Sequence, residues 1–220
     1  DPKYNTLWTN YFKKKGILVQ EINSRSGAGI KNIQALVQEA CKEKIERDRR
    51  RGIINRPVRA MVVGIPNTGK SSFINRMAKS AKAKVADKAG VTRNNQWFAI
   101  GNGIELLDTP GVLWPKFDDQ KVGDRLAFIG SVKDEILDIE TLAIRLLEVM
   151  TADYPERLTE RYKIADFSDK EAWEVLEMIG QKRGMMIRGG EVDTERASVM
   201  LLDEYRGGKL GTISLERPEI

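Results

Sequence analysis

One stretch, Val62-Val63-Gly64-Ile65-Pro66-Asn67-Thr68-Gly69-Lys70-Ser71-Ser72, restricts the possible folds more than any other part of the chain. The apolar run Ala60 to Val63 ends at Gly64. Gly-x-x-x-x-Gly-Lys-Ser follows, and helix formers come next. A buried strand, a glycine loop and a helix in that order make a phosphate-binding P-loop. Small residues let the backbone fold tightly around phosphate. The loop N–H groups and the positive end of the helix then point at the anion. Pro66, Asn67, Thr68, Gly69, Lys70, Ser71 and Ser72 are therefore expected against phosphate. Lys70 adds a point charge on the outer phosphates, and the Ser71 hydroxyl can ligate Mg²⁺. A chance glycine turn ahead of a helix does not account for the whole motif with its flanks.

A second element, Leu106-Leu107-Asp108-Thr109-Pro110-Gly111, follows the apolar run Ile104 to Leu107. A carboxylate at a strand end, here Asp108, can hold the Mg²⁺ shell, and the Gly111 N–H can reach the terminal phosphate. Alone, Asp-x-x-Gly is also an ordinary Asp-Pro-Gly turn. Its place downstream of a P-loop makes the pair specific. Between the two lies Ala89-Gly90-Val91-Thr92-Arg93. Thr92 can close on Mg²⁺ and the terminal phosphate, as mobile switch threonines do. It is equally readable as a turn threonine. Lys70, Thr92 and Gly111 are the catalytic candidates, and Ser71, Thr92 and Asp108 the Mg²⁺ candidates.

The 220 residues suit one large domain, or one domain with a smaller companion. The chain opens on Asp1 rather than Met, so further sequence upstream is expected. A net charge of +5 and a pI near 9.2 allow an anionic partner, and a solvated basic surface explains them too. The single cysteine, Cys41, sits on an apolar stripe and reads as a packing residue. It fits a reducing compartment, and a cytoplasmic location is expected. No apolar run reaches membrane-spanning length and no secretory signal is visible. Neither a membrane nor DNA is expected as a partner. The absence of histidine removes the commonest general base and the commonest zinc ligand.

Tyr4, Leu7, Trp8, Tyr11 and Phe12 recur at helical spacing, and this helix should end near Lys15-Gly16. Ile17 to Ile22 reads as a buried strand. Ile30, Ile33, Leu36, Val37, Ala40, Cys41 and Ile45 form a helical stripe that continues to Gly52. A helix should cover Ser71 to Ala78. Asn94 to Ile100 and Gly103 to Leu107 flank the turn Gly101-Asn102 as a hairpin. Helices alternating with buried strands imply a parallel sheet with helices on both faces. From Gln120 capping signals open successive amphipathic segments: Asp138, the box Ser168-x-x-Glu171, and Asp193. Leu210 to Leu215 is the only later strand signal. The expected organisation is an α/β nucleotide domain over residues 1–119 and a smaller, mostly helical domain over 120–220.

The order of the motifs points to a family. Ordinary small GTPases carry the guanine-reading Asn-Lys-x-Asp and a Ser-Ala-Lys-type loop after Asp-x-x-Gly, and this chain has neither downstream of Gly111. Upstream of the P-loop, Glu21-Ile22-Asn23-Ser24-Arg25-Ser26-Gly27-Ala28-Gly29-Ile30 looks like the Ser-Ala-Lys-type loop and the helix after it. That order resembles the circularly permuted GTPases. Within them, Gly64 to Ser72, Asp-Thr-Pro-Gly-Val-Leu-Trp-Pro-Lys-Phe at 108–117 and Tyr-Pro-Glu-Arg-Leu at 154–158 closely resemble the bacterial ribosome biogenesis GTPase A (YlqF) family. The resemblance implies a P-loop GTPase fold, GTP as substrate and GDP as product, with Asn-Lys-x-Asp upstream of Asp1. It also implies that Asn23, Ser24 and Arg25 read guanine: the Ser24 N–H faces the guanine carbonyl and the Arg25 stem lies over the base. A plain loop is the alternative for these three residues.

Where many GTPases carry a water-orienting Gln, this chain has Val112, whose side chain cannot hydrogen-bond water. Hydrolysis is then slow, or another group completes the site. A histidine considered in the resembled family has no counterpart in this chain. Asn67 can hold a K⁺ ion against the phosphates, as in potassium-stimulated GTPases, or it only suits the backbone angles of the loop. Lys116 can reach phosphate or RNA, or is a solvated loop charge.

The resemblance implies the large ribosomal subunit precursor and ribosomal RNA as partners, with the helical domain over 120–220 binding the RNA. Basic groups at Lys13-Lys14-Lys15, Arg47 to Arg51, Lys79 to Lys84, Lys182-Arg183 and Arg188 would serve RNA phosphates. Glu43, Glu46 and Asp48 interrupt the second group, so a solvated helix face explains it as well. Trp8, Trp173 and Tyr205 lie on apolar stripes and are expected in the core. The function expected is GTP-driven binding to, and release from, a ribosomal precursor. The alternative is an RNA-binding scaffold in which nucleotide is structural. An ATP-using small-molecule kinase is weaker, because no second-substrate signature accompanies the switch-like elements.

Overall fold

The computed structural model describes residues 1–80, 95–100, 103–114, 116–134, 138–164 and 166–218. Thr92 and its neighbours from Ala89 to Arg93, the basic residues Lys82 and Lys84, the turn Gly101-Asn102 and Pro115 lie outside them. The chain divides into two compact units. One comprises Lys3–Leu113 with Arg217–Ile220, the other Trp114–Glu216 with Asp1–Pro2.

The first unit is α/β. Helix α1 covers Pro2–Lys14, α2 Ile33–Ala40 and α3 Lys42–Arg50. Strand β1 (Val58–Val62) leads through the glycine loop into α4 (Lys70–Ser80). Strands β2 (Gln96–Ala99) and β3 (Ile104–Asp108) pair antiparallel, with Trp97 opposite Leu107. β3 also pairs parallel with β1, Val58 opposite Ile104 and Val62 opposite Asp108, and the order is β1-β3-β2. Side chains alternate along β3, so Ile104, Leu106 and Asp108 share one face and are all buried. Ile30, Ile74, Met77, Ala78, Phe98 and Ile100 pack with Ile104 and Leu106 in the core of this unit. The period-two pattern thus carries the Asp108 carboxylate onto the core face. The opposite face shows Met61, Val63 and Trp97, each about half exposed or more.

Two expectations in this unit are corrected. Ile17 to Ile22 is not a strand: it lies outside the sheet, and Ile17, Leu18 and Ile22 are exposed. An apolar run becomes a strand only where a neighbour takes its backbone groups, which local composition cannot specify. The stripe from Ile30 to Ile45 is not one helix. A 3₁₀ turn over Ile30–Asn32 precedes α2, and Cys41, at φ −107° and ψ 11°, divides α2 from α3. Periodicity reports the buried face of a helix, not its continuity.

The second unit is helical: α5 (Gln120–Phe128), α6 (Ile139–Asp153), α7 (Pro155–Tyr162), α8 (Ala172–Lys182) and α9 (Thr194–Arg206). Asp138 accepts from the Thr141 N–H and Asp193 from the Arg196 N–H, capping α6 and α9 as expected. The box before α8 is displaced by one turn: Glu171 is the cap and pairs reciprocally with Glu174. Ser168 instead donates its hydroxyl to Asp166 and closes a turn ahead of the helix. α6 runs through the core with Ala143, Leu146, Leu147 and Met150 inaccessible to solvent, against Val175 and Ile179 of α8 and Ala197 and Leu201 of α9.

Two further expectations fail here. Trp173 is half exposed, because it stands at the first turn of α8 away from the Val175, Leu176 and Ile179 stripe. Leu210 to Leu215 forms no strand, and Leu210 is simply buried. Tyr205 is half-buried edge-on to Phe128, and burial pushes its hydroxyl pKa up to about 12. In the first unit Trp8 is likewise half-buried, stacked on Phe12 and edge-on to Tyr11.

Glu204 of α9 is nearly inaccessible. It accepts from Arg161 through two nitrogens and from the Tyr162 hydroxyl at 3.0 Å, with Arg183 at 3.5 Å. The Arg161 hydrogen bond holds its carboxyl below the usual range against an opposing push from burial. Among the described residues, no helix is long and apolar enough to cross a membrane.

Candidate functional site

The loop between β1 and α4 takes backbone shapes that its residue types permit. Gly69 has φ +88° and Asn67 has φ +60°, a left-handed value that asparagine tolerates better than most residues. The Thr68 hydroxyl donates to Ile65 O at 2.8 Å and closes the loop on itself. Lys70 begins α4 and turns back across the loop, donating to Gly64 O at 2.9 Å and Ile65 O at 2.8 Å. Its ammonium is thereby held over the loop mouth, where a phosphate would lie. Ser72 is exposed on the first turn of α4.

Asp108 ends β3 on the core face, 1 % exposed. Its Oδ2 accepts from the Ser71 hydroxyl at 3.0 Å, so two motifs far apart in sequence meet. A hydroxyl and a carboxylate at this distance are hard oxygen donors of the kind that Mg²⁺ takes. The residues fit such an ion. Thr109 fixes the next step of the chain, donating its hydroxyl to Val62 O at 2.7 Å and tying the end of β3 to the end of β1. Gly111 follows, and only glycine fits its position: a Cβ would stand 2.6 Å from Pro66 Cα and 3.0 Å from Lys70 Nζ. Its backbone thus approaches the loop and the lysine together. Val112 points away, 73 % exposed.

Lys70, Ser71, Asp108, Gly111 and Pro66 therefore converge within one unit. Thr92 lies outside the described residues, and Lys116 is exposed. Asn23, Ser24 and Arg25 form a closed loop in the same unit. Asn23 Oδ1 accepts from the N–H groups of Arg25 and Ser26 at 2.9 Å each, and the Gly27 N–H donates to Asn23 O at 2.7 Å. The Asn23 carboxamide oxygen is thus spent on its own loop, an Asx turn. Two residues escaped the sequence reading. Thr109 sits inside a recognised motif, but its partner is a carbonyl on another strand. Arg76 of α4 donates to Ser24 O at 2.8 Å and to Arg25 O. Nothing local distinguishes it from a surface arginine on a helix.

Comparison with known proteins agrees with this geometry. A family model described as 50S ribosome-binding GTPase matches residues 59–180. Ribosome biogenesis GTPase A of Bacillus cereus is 45 % identical over 219 residues, covering 100 % of this chain and 74 % of that protein. The protein of that name from Thermotoga maritima is 31 % identical, covering 100 % of this chain and 72 % of its own length. Among solved structures, GNP-bound YlqF from T. maritima superposes with a TM-score of 0.59 at 27 % identity, covering 100 % of this chain and 77 % of that one. A GDP-bound YlqF structure gives 0.60 at 27 % identity, covering 99 % and 78 %.

Proposed function

The chain belongs to the ribosome biogenesis GTPase A family, and from that premise we propose that it is a GTP-hydrolysing assembly factor for the large ribosomal subunit. GTPase action in ribosome biogenesis is the activity of the family. The finer reading is that GTP favours binding to a precursor particle and that hydrolysis, completed by contact with the particle, releases the factor. The observation that carries it is the meeting of Lys70, Ser71, Asp108 and Gly111 at one point.

Phosphoryl transfer needs positioning and charge neutralisation rather than covalent chemistry from the protein. Lys70 presents its charge across the loop mouth. The Gly111 backbone lies close against Pro66 and Lys70, and its N–H is assigned to the terminal phosphate. Ser71 and Asp108 would hold Mg²⁺, which on binding supplies charge neutralisation between the phosphates. The exposed, apolar Val112 orients no water. This supports slow hydrolysis by the chain alone and a completing group contributed by the particle. Asn67 is assigned to K⁺ coordination, although its left-handed φ also answers the simpler role of fitting the turn.

The partner proposed is ribosomal RNA of the large-subunit precursor, and the name of the matching family supports this. Lys13, Lys14, Arg47, Arg49, Arg50, Arg51, Lys182 and Arg188 are all exposed and available to phosphates. The helical unit is proposed as the RNA-binding one. The test is GTP turnover in K⁺ and in Na⁺, with and without purified large ribosomal subunits. Stimulation by the subunits is expected, and stronger in K⁺. Intact GTP binding with no stimulation in either salt would replace the switch with a scaffold that uses nucleotide structurally.

A further inference from the structure

Arg76 belongs to no motif of the chain, yet it joins the two halves of the nucleotide site. It lies six positions after Lys70 on α4, about 9 Å along a helix at 1.5 Å per residue. One end of α4 is therefore the phosphate site, and two turns later the same helix reaches the loop assigned to the base.

The contact has a definite form. Arg76 Nε donates to Ser24 O at 2.8 Å, and Nη2 donates to Arg25 O. From the other side, Asn23 Oδ1 accepts from the N–H groups of Arg25 and Ser26 at 2.9 Å each. A trans peptide holds its C=O and N–H on opposite edges of one plane. The plane joining Ser24 to Arg25 is thus gripped at both edges, and so is the plane joining Arg25 to Ser26. A guanidinium fork takes one side and a carboxamide oxygen the other. Gly27 lies against the fork, where a Cβ would make ordinary contact at 3.4 Å from Arg76 Cζ and Nε, and its φ of +88° strains any other residue. Beyond the loop, Ile30 is 3 % exposed in the same core as Ile74 and Met77 of α4. The loop is tied to one helix by polar contacts at its tip and apolar ones at its base.

These two planes set the direction of the Arg25 side chain, and the adjoining plane that carries the Ser24 N–H is held at its other edge, where Asn23 O accepts from the Gly27 N–H at 2.7 Å; these are the groups assigned to guanine. We propose that Arg76 is a positioning residue for base recognition: its guanidinium locks the base-reading loop to the phosphate-binding helix, so guanine selectivity depends on a side chain spent on the loop backbone. This rests on the GTPase reading above.

The experiment is calorimetric titration of the protein extended upstream through the expected Asn-Lys-x-Asp, as wild type, Arg76→Met and Arg76→Lys, with GDP, ADP and inorganic pyrophosphate in Mg²⁺. Thermal melting of each ligand-free protein accompanies it. Loss of two charge-assisted hydrogen bonds should weaken GDP binding about tenfold to a hundredfold in Arg76→Met. ADP and pyrophosphate should stay within about twofold, because the phosphate loop does not use Arg76. Lysine keeps the charge but cannot fork to both carbonyls, so Arg76→Lys should recover only part of the loss. Unchanged GDP affinity in Arg76→Met would overturn the proposal. So would equal weakening of all three ligands, which marks a general brace of α4. A wild-type protein that carries the upstream Asn-Lys-x-Asp and still does not prefer GDP to ADP would overturn the guanine reading and this inference with it, a result distinct from either failure of Arg76.

Discussion

The two units spend their apolar residues differently. In the helical unit α6 buries five side chains, Leu142, Ala143, Leu146, Leu147 and Met150. In the α/β unit neither α1 nor α2 buries any, and the sheet leaves Met61, Val63 and Trp97 open on one face. Yet the α/β unit holds the phosphate loop, Asp108 and Gly111. The helical unit invests in packing, while the α/β unit invests in hydrogen bonds that aim backbone and side chains at one point. Sites built on loops over a modest core combine precise placement with low local stability.

The sharpest break between the units should come from Lys70→Ala. Removing the charge over the loop mouth should lower GTP turnover about a hundredfold to a thousandfold, with the far-ultraviolet melting curve of the helical unit unchanged. A parallel fall in melting temperature would erase the distinction between packing and aiming. Next comes Leu146→Ala, which opens a cavity where the wild-type side chain has no exposure. Denaturant unfolding should show a loss of about 3 kcal/mol, with nucleotide affinity intact.

Glu204→Gln should cost on the order of 2 kcal/mol, since it removes the charge that Arg161 and Tyr162 address. The sign with pH is set by the depressed carboxyl. Its stabilisation is complete above the ordinary glutamate value of about 4.3 and is lost as pH falls through the lower folded value. Melting temperatures measured from neutral to acid pH should therefore decline less steeply in the variant. The smallest effect belongs to Met61→Ser on the open sheet face, within about 0.5 kcal/mol. A loss of several times that in the chain by itself would mean that this face is packed in solution, and the comparison would fail.

Legibility in the sequence followed the range of the interaction that decides each feature. The P-loop strand and helix, the hairpin of β2 and β3, and the caps Asp138 and Asp193 are local, and their residue types state them. The family could be read because its motifs are short and ordered along the chain. Ile17 to Ile22 misled because strand formation needs a neighbour. The cap of α8 shifted to Glu171 because Ser168 found a nearer acceptor in Asp166.

By itself the sequence determined that a phosphate loop exists, which residues form it, and that Asp108 and Gly111 belong with it. Backbone permissiveness and one-turn periodicities are written into residue types at fixed offsets. Only the tertiary structure decided that the Ser71 hydroxyl meets Asp108, that Gly111 must lack a side chain because Pro66 lies against it, and that Arg76 grips the loop at Ser24 and Arg25. Each of these is a contact between distant segments, and its partner is set by the packing of β1, β3 and α4 rather than by any neighbouring residue.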